Sequence, residues 1–385
     1  MRGSWKIARI AGIDIGVHYT WLFAFLIISW SLAQGYFPQS YPSWSRTLYW
    51  AAGFLSAILL FISVLIHELA HSLVAQARGL PVSSITLFIF GGVSNLSEEP
   101  ERPGLEFGMA IVGPLSSLVL SGIFYIVRLP IGQGTFTYAI FGYLILINLL
   151  LAAFNLLPGF PLDGGRVLRA ILWKTSGSLV KATNIATAVG RIFGWGFIAL
   201  GVFIFFNTGD FLSAIWIAII GVFLNSAAEG SRQEVTVREH LSGVKVTQAM
   251  EANTETVGPR LSVAELVRDI FLLKRRRAIP VADGDQIVGM VSITDVRDLP
   301  QEQWALTPVE RIMTRGPIHT VTPGDDLATA LKLIAQLDLN QVPVLSGGKL
   351  VGILSRANVI SFLQLRQELG TKGERRFNTP PSLRR

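Results

Sequence analysis

His67, Glu68 and His71 form a His-Glu-x-x-His pattern, Ile66-His67-Glu68-Leu69-Ala70-His71-Ser72, inside a long run of apolar residues. Residues four apart share one face of a helix, so His67 and His71 can aim two imidazoles at one metal ion while Glu68 projects beside them. Two histidines leave a zinc ion incomplete. Catalytic zinc takes a third protein ligand and keeps one position for water, whose pKa it lowers to about 7. Glu68 would take the proton of that water as it attacks a carbonyl and return it to the leaving amine. The alternatives are a chance match or a structural polar cluster. The apolar surroundings argue against both, because an ionisable side chain in a membrane span is costly and marks function by default.

The elements that must position these residues are membrane helices. Half of the 385 residues are apolar and 15% are charged. Six segments approach the roughly 20 residues that span a bilayer, at roughly 17–37, 48–78, 104–127, 138–158, 189–207 and 211–229. The chain reads as an integral membrane protein. It has no cysteine, which excludes disulfides and thiolate metal sites. With the N-terminus inside, Arg2, Lys6, Arg9, Arg78, Arg102, Arg166, Arg169, Lys174, Lys181 and Arg191 fall on the cytoplasmic side, and only Arg46 and Arg128 fall outside. The expected location is the cell membrane, multi-pass, with both termini cytoplasmic. The net charge of +7 then faces anionic lipid and needs no nucleic-acid partner.

In this topology His67 and His71 lie toward the cytoplasmic face, and a third ligand must come from the same depth. The fourth segment runs inward and ends in Asn155-Leu156-Leu157-Pro158-Gly159-Phe160-Pro161-Leu162-Asp163-Gly164-Gly165-Arg166. The prolines break the helix and the glycine pair permits a tight turn, so Asp163 arrives on irregular backbone near the histidines. Such backbone is tolerated at that depth only when buried in protein or lining a wet cavity. Asn148 and Asn155 lie seven apart on one helical face. Either amide could hold the substrate backbone or the oxyanion, or simply bond a neighbouring helix. Gly113-Pro114 marks a kink or close helix contact, with no chemistry assigned. His18 reads as interfacial, and His240 and His319 have no partner at metal-binding spacing.

A membrane-embedded His-Glu-x-x-His followed two segments later by Asn-x-x-Pro-x-x-Pro-Leu-Asp-Gly-Gly resembles the site-2 protease family of intramembrane zinc metalloproteases, over about residues 1–230. The resemblance implies one Zn2+ per chain on His67, His71 and Asp163, with Glu68 activating water, and makes Asn155, inside the matched motif, the better candidate of the two amides. It also implies a catalytic core formed by the second to fourth segments and a transmembrane protein as substrate. Between the second and third segments, Ser84 to Asn95 reads as a strand, a Gly-Gly turn and a second short strand. The family implies a sheet dipping into the membrane, whose free edge could take an unwound substrate as an added strand. A mere connecting hairpin is the alternative.

After about Gly230 the composition turns charged, and residues 231–244 read as a linker. An internal repeat follows at an offset of 63 residues: Ala249-Met250 with Ile312-Met313, Ile279-Pro280-Val281 with Val342-Pro343-Val344, and Ile287-Val288-Gly289 with Leu350-Val351-Gly352. Both copies, about 245–300 and 307–366 within 245–366, resemble the CBS module, which pairs into one α/β unit. The resemblance implies ATP or AMP in the cleft, with Ser292 and Asp295 meeting phosphate and ribose in the first copy. Ser355 and Asn358 stand at those places in the second, with Asn in place of Asp. It also implies a homodimer through the CBS pair; a dimerisation module without ligand is the alternative. Lys274 to Arg277 read as a solvated basic helix face, or as a contact for phosphates or lipid headgroups. Residues 367–385 read as a disordered basic tail.

The expected fold is a multi-span α-helical membrane protein of about six transmembrane helices with a short membrane-associated β-hairpin, followed by a cytoplasmic α/β tandem CBS domain. The expected function is zinc-dependent cleavage of a transmembrane segment near the cytoplasmic face, regulated through the CBS pair. The competing class is a CBS-regulated transporter or channel with a structural or transported metal. Transport predicts internal duplication of the membrane half, which the sequence lacks, and gives no reason for Glu68.

Overall fold

A computed structural model describes residues 3–96, 100–241, 243–252, 254–284 and 286–369. The chain falls into two units, Met1–Val235 and Thr236–Arg385. The expected tail lies, from residue 370 on, outside the described residues.

In the first unit, β1 (Ser4–Ile10) and β2 (Ile13–His18) precede α1 (Thr20–Ser40) and α2 (Arg46–Ala77). Then come β3 (Val82–Phe88), β4 (Gly91–Leu96), α3 (Pro103–Arg128), α4 (Phe136–Asn155), α5 (Asp163–Ser176), α6 (Leu179–Thr208) and α7 (Phe211–Leu241). Among the described residues six helices are long and apolar enough to cross a membrane: α1, α2, α3, α4, α6 and the stretch Ser213–Val237 of α7. Ser45 and Thr135 cap α2 and α4, their hydroxyls accepting from the backbone of Leu48 and Tyr138. Small residues such as Ala52, Gly53, Ser56 and Ala57 fill the inner face of α2, so neighbouring backbones approach closely. Large apolar side chains on α3 and α6, among them Ile126, Ile192 and Phe206, stay exposed on the surface that lipid covers.

Residues 231–241 of the expected linker are not a linker but continue α7 as helix, and two further elements differ from the sequence expectation. Residues 4–10, within the first ten that read as a basic cytoplasmic flank, pair with 13–18 in a hairpin that turns at Ala11-Gly12, where both residues have positive φ. β2 continues into a parallel pairing with β3, Asp14 opposite Ser84 through Val17 opposite Leu87. The result is a four-stranded sheet in the order β1-β2-β3-β4, with β4 an edge. Ile13, Ile15, Val82 and Ile85 from the sheet pack with Ala75 of α2 and Met109 of α3. The second difference is α5. Gly164 and Gly165 do not make a turn; they lie inside the helix that opens at Asp163, and a Cβ on either would run into backbone of the preceding loop. Gly177, at φ +69°, then reverses the chain into α6.

The second unit contains β5 (Glu251–Ala252), a helical turn α8 (Val263–Glu265) running on as a π-helix over Leu266–Leu272, β6 (Ala278–Asp283), β7 (Gln286–Ser292) and α9 (Ile293–Arg297). α10 (Leu327–Gln336), β8 (Gln341–Ser346), β9 (Lys349–Ser355) and α11 (Arg356–Glu368) follow. The two copies exchange their opening segments. Leu241 and Val244, just before the first copy, and Val246, which opens it, are buried with Leu327, Ile334 and Leu354 of the second. Val309, which opens the second copy, is buried with Val263, Leu266 and Val291 of the first. β5 joins the second copy's sheet through β9.

Candidate functional site

α2 places His67 and His71 one turn apart, both buried. Asp163, the first residue of α5, brings its carboxylate between them. Its Oδ2 lies 3.0 Å from His67 Nε2 and 3.1 Å from His71 Nε2, and the two Nε2 atoms are 3.3 Å apart. The other ring nitrogens are held by α3. His71 Nδ1 lies 2.6 Å from the Met109 carbonyl, which can only accept, so Nδ1 carries the proton and Nε2 presents a lone pair. His67 Nδ1 meets Ser117 Oγ at 2.9 Å.

This donor set fits a divalent cation. Two imidazole nitrogens and a carboxylate oxygen, all acceptors in the forms their partners favour, converge where only a positive charge satisfies all three. The cradle also has a shaped wall. Gly113 of α3 faces the imidazoles, and a Cβ there would come within 2.7 Å of His67 Nε2. Gly113, Ser117 and Met109 were assigned no role from sequence. Gly113-Pro114 signalled a close contact, but a serine and a main-chain carbonyl carry no readable mark.

Glu68 lies on the side of α2 that the hairpin covers: a Cβ on Gly92 of β4 would stand 3.0 Å from Glu68 Cδ. The edge strand therefore passes directly over the residue beside the histidines. The hairpin tip rests on α7, with Phe90 stacked on Phe223 at a ring separation of 4.4 Å. The turn falls on Ile89-Phe90, and the two glycines start β4 instead of forming it.

The loop that delivers Asp163 is anchored on α6. The Phe160 N–H donates to the Ala186 carbonyl at 3.1 Å. Arg169, read from sequence as a cytoplasmic flanking charge, is instead buried in an ion pair with Glu106. Asn148 is fully buried and donates to Ser63 Oγ at 3.1 Å and to its own helix at the Leu144 carbonyl, so it joins α4 to α2. Asn155, the last residue of α4, donates to Leu151 O at 3.0 Å.

In the second unit the four motif residues form two equivalent pairs. Asp295 accepts from the N–H and hydroxyl of Ser292, both at 2.7 Å, capping α9. Asn358 Oδ1 accepts from Ser355 in the same way and caps α11, so Asn preserves the cap that Asp forms in the first copy. Lys274 to Arg277 lie beyond the end of the helix, not on its face, and Lys274 and Arg276 are paired with Glu255 and Glu251.

A His-Glu-x-x-His helix and an aspartate from a broken segment, meeting inside a bundle of membrane-spanning helices, define a membrane-embedded metalloprotease. Comparisons with known proteins narrow the class. The family model of peptidase family M50 matches residues 55–138 and 132–197, and that of the CBS domain matches 246–302 and 309–365. Rip3 of Mycobacterium tuberculosis is 35% identical over 374 residues, covering 95% of this chain and 94% of its own. Zinc metalloprotease MJ0392 of Methanocaldococcus jannaschii is 32% identical over 373 residues, covering 96% and 99%. The solved site-2 protease of Methanocaldococcus jannaschii is 32% identical, with a TM-score of 0.42 over 60% of this chain and 95% of that one. The chain belongs to peptidase family M50, the site-2 proteases, as a multi-pass zinc metalloprotease carrying tandem CBS domains. The transporter alternative has no support in these matches.

Proposed function

We propose that the chain hydrolyses a peptide bond within a transmembrane segment of a substrate protein, near the cytoplasmic face, with both of its own termini cytoplasmic. The observation that carries the reading is the convergence of His67, His71 and Asp163 beside Glu68 under the edge strand β4. These three residues would hold zinc, which when bound supplies a Lewis acid that polarises the scissile carbonyl and acidifies a water. Glu68 takes a proton from the attacking water, the C–N bond breaks, and Glu68 delivers the proton to the leaving amine. Asn155 would hold the substrate backbone or the oxyanion once its amide turns from Leu151.

A helix shields its own peptide bonds, so the substrate must unwind. An unwound segment can add to the free edge of β4 as a strand, which brings its backbone alongside Glu68. In the CBS pair, Ser292, Asp295, Ser355 and Asn358 would meet ATP or AMP, and the pair would join two chains into a homodimer. The CBS fold and the equivalent Ser-Asp and Ser-Asn pairs support this part of the reading.

The test is zinc content and cleavage of a single-span substrate in detergent, for wild type and Glu68→Gln. Zinc in both with cleavage only in wild type is expected. Equal cleavage by Glu68→Gln overturns the role of the base, and absence of zinc from the wild type overturns the metal site.

A further inference from the structure

Glu106, Met109, Gly113 and Ser117 stand three or four residues apart, on one face of α3. Three of them act on the histidines: the Met109 carbonyl and the Ser117 hydroxyl fix the rings, and Gly113 leaves room for them. The fourth, Glu106, faces α5, the helix that Asp163 opens. Arg169 Nε donates to Glu106 Oε1 at 2.6 Å, Nη2 meets the same oxygen, and both side chains are buried. The guanidinium also lies over the Phe160 ring, 4.8 Å from its centroid, three residues before Asp163.

We infer that Glu106 and Arg169 are positioning residues for Asp163, and that this one face of α3 holds all three metal ligands in register. The inference rests on the reading of His67, His71 and Asp163 as the ligands. A buried ion pair does little for stability that two well-packed apolar side chains would not do as well. Its geometry offers something they lack. The planar fork of Arg169 is fixed by Glu106 on one side and by the Phe160 ring on the other. It therefore ties α3 to both ends of the segment that presents Asp163, the loop before it and the helix after it. Outer partners of this kind set the orientation of ligands, and their loss commonly weakens metal binding by about 10–100-fold.

The experiment uses the full-length chain in detergent, with zinc affinity measured against a chromophoric chelator, the visible spectrum of the cobalt-loaded protein, and thermal melting. Arg169→Lys keeps the charge and loses the fork. The double variant Glu106→Leu with Arg169→Met replaces the pair by apolar side chains. Phe160→Leu removes the stacking surface alone and guards against variants that fail to fold. Arg169→Lys and the double variant are expected to bind zinc about 10–100-fold more weakly with shifted cobalt bands, the double variant doing so even where its melting is unchanged. Phe160→Leu is expected to lie between them and wild type. Wild-type affinity and an unshifted spectrum in the folded variants overturn the positioning role while leaving the metal site intact. A wild type without zinc removes the metal-site reading itself.

Discussion

Each imidazole at the centre turns one nitrogen toward Asp163 and gives the other to α3, and the second decides how well the first is aimed. Ser117 holds His67 by a single hydroxyl, so Ser117→Ala should leave the fold intact and weaken zinc binding about tenfold in a chelator competition. His71 has a firmer hold, because its partner is a main-chain carbonyl that no substitution removes. The residues proposed to do chemistry were legible because chemistry dictates type and spacing: a turn separates His67 from His71, and Glu68 lies between. Asp163 was reachable through helix-breaking prolines and depth. The residues that aim these groups were not legible, since a serine or a carbonyl is chosen by the partner that packs against it. For Asn148 the sequence left substrate contact and a bond to a neighbouring helix both open, and Ser63 of α2 takes its amide.

At the scale of elements, glycines mark where one segment must approach another's side chains. In an ordinary helix interior Gly→Ala stabilises by roughly 0.5–1 kcal/mol. At Gly113 the new Cβ would stand within 2.7 Å of His67 Nε2. The pinned rings must move to admit it, so Gly113→Ala is expected to lose bound zinc and to melt no higher than wild type, the overpacking offsetting the gain in helix propensity, read by metal analysis and melting on one sample. Gly92→Ala should act on the neighbouring group: its Cβ would press on Glu68, so zinc should remain while cleavage slows. The hairpin 82–96 was readable from its short apolar strands and glycines. β1 was hidden because the alternation of Trp5-Lys6-Ile7 breaks at Ile7-Ala8, on a strand exposed on both faces, and its charges imitate a membrane flank. α5 was masked by Gly164-Gly165, whose purpose is close packing against the loop, a tertiary reason that no local propensity records.

For the molecule as a whole, the exchange of opening segments makes the CBS copies depend on each other. Val246 is fully buried among residues of the second copy, so Val246→Ala should lower that unit's stability by about 2 kcal/mol, seen in denaturant melts. Glu251, on the exchanged strand β5, is held below its ordinary pKa of 4.5 by the Arg276 guanidinium beside it. A depressed folded-state pKa contributes stability above pH 4.5 that is lost as pH falls through the folded value. Both side chains are partly exposed, so solvent limits the effect to under about 1 kcal/mol. Glu251→Gln should therefore melt slightly below wild type at pH 7 and match it under acid.

The pairing of β2 with β3 carries a rule of parity. Two strands bonded in one sheet lie on one side of the bilayer, so the chain between them must cross an even number of times, and α1 and α2 are those two crossings. α3 and α4 make two more before the loop that delivers Asp163. The N-terminal hairpin, the edge strand β4 and the loop that carries Asp163 therefore share a compartment whichever way the protein is inserted. The chain has no cysteine of its own. Single cysteines at Gly12 and Gly177 should react with an impermeant maleimide from one side of sealed vesicles, and one at Gly132 from the other.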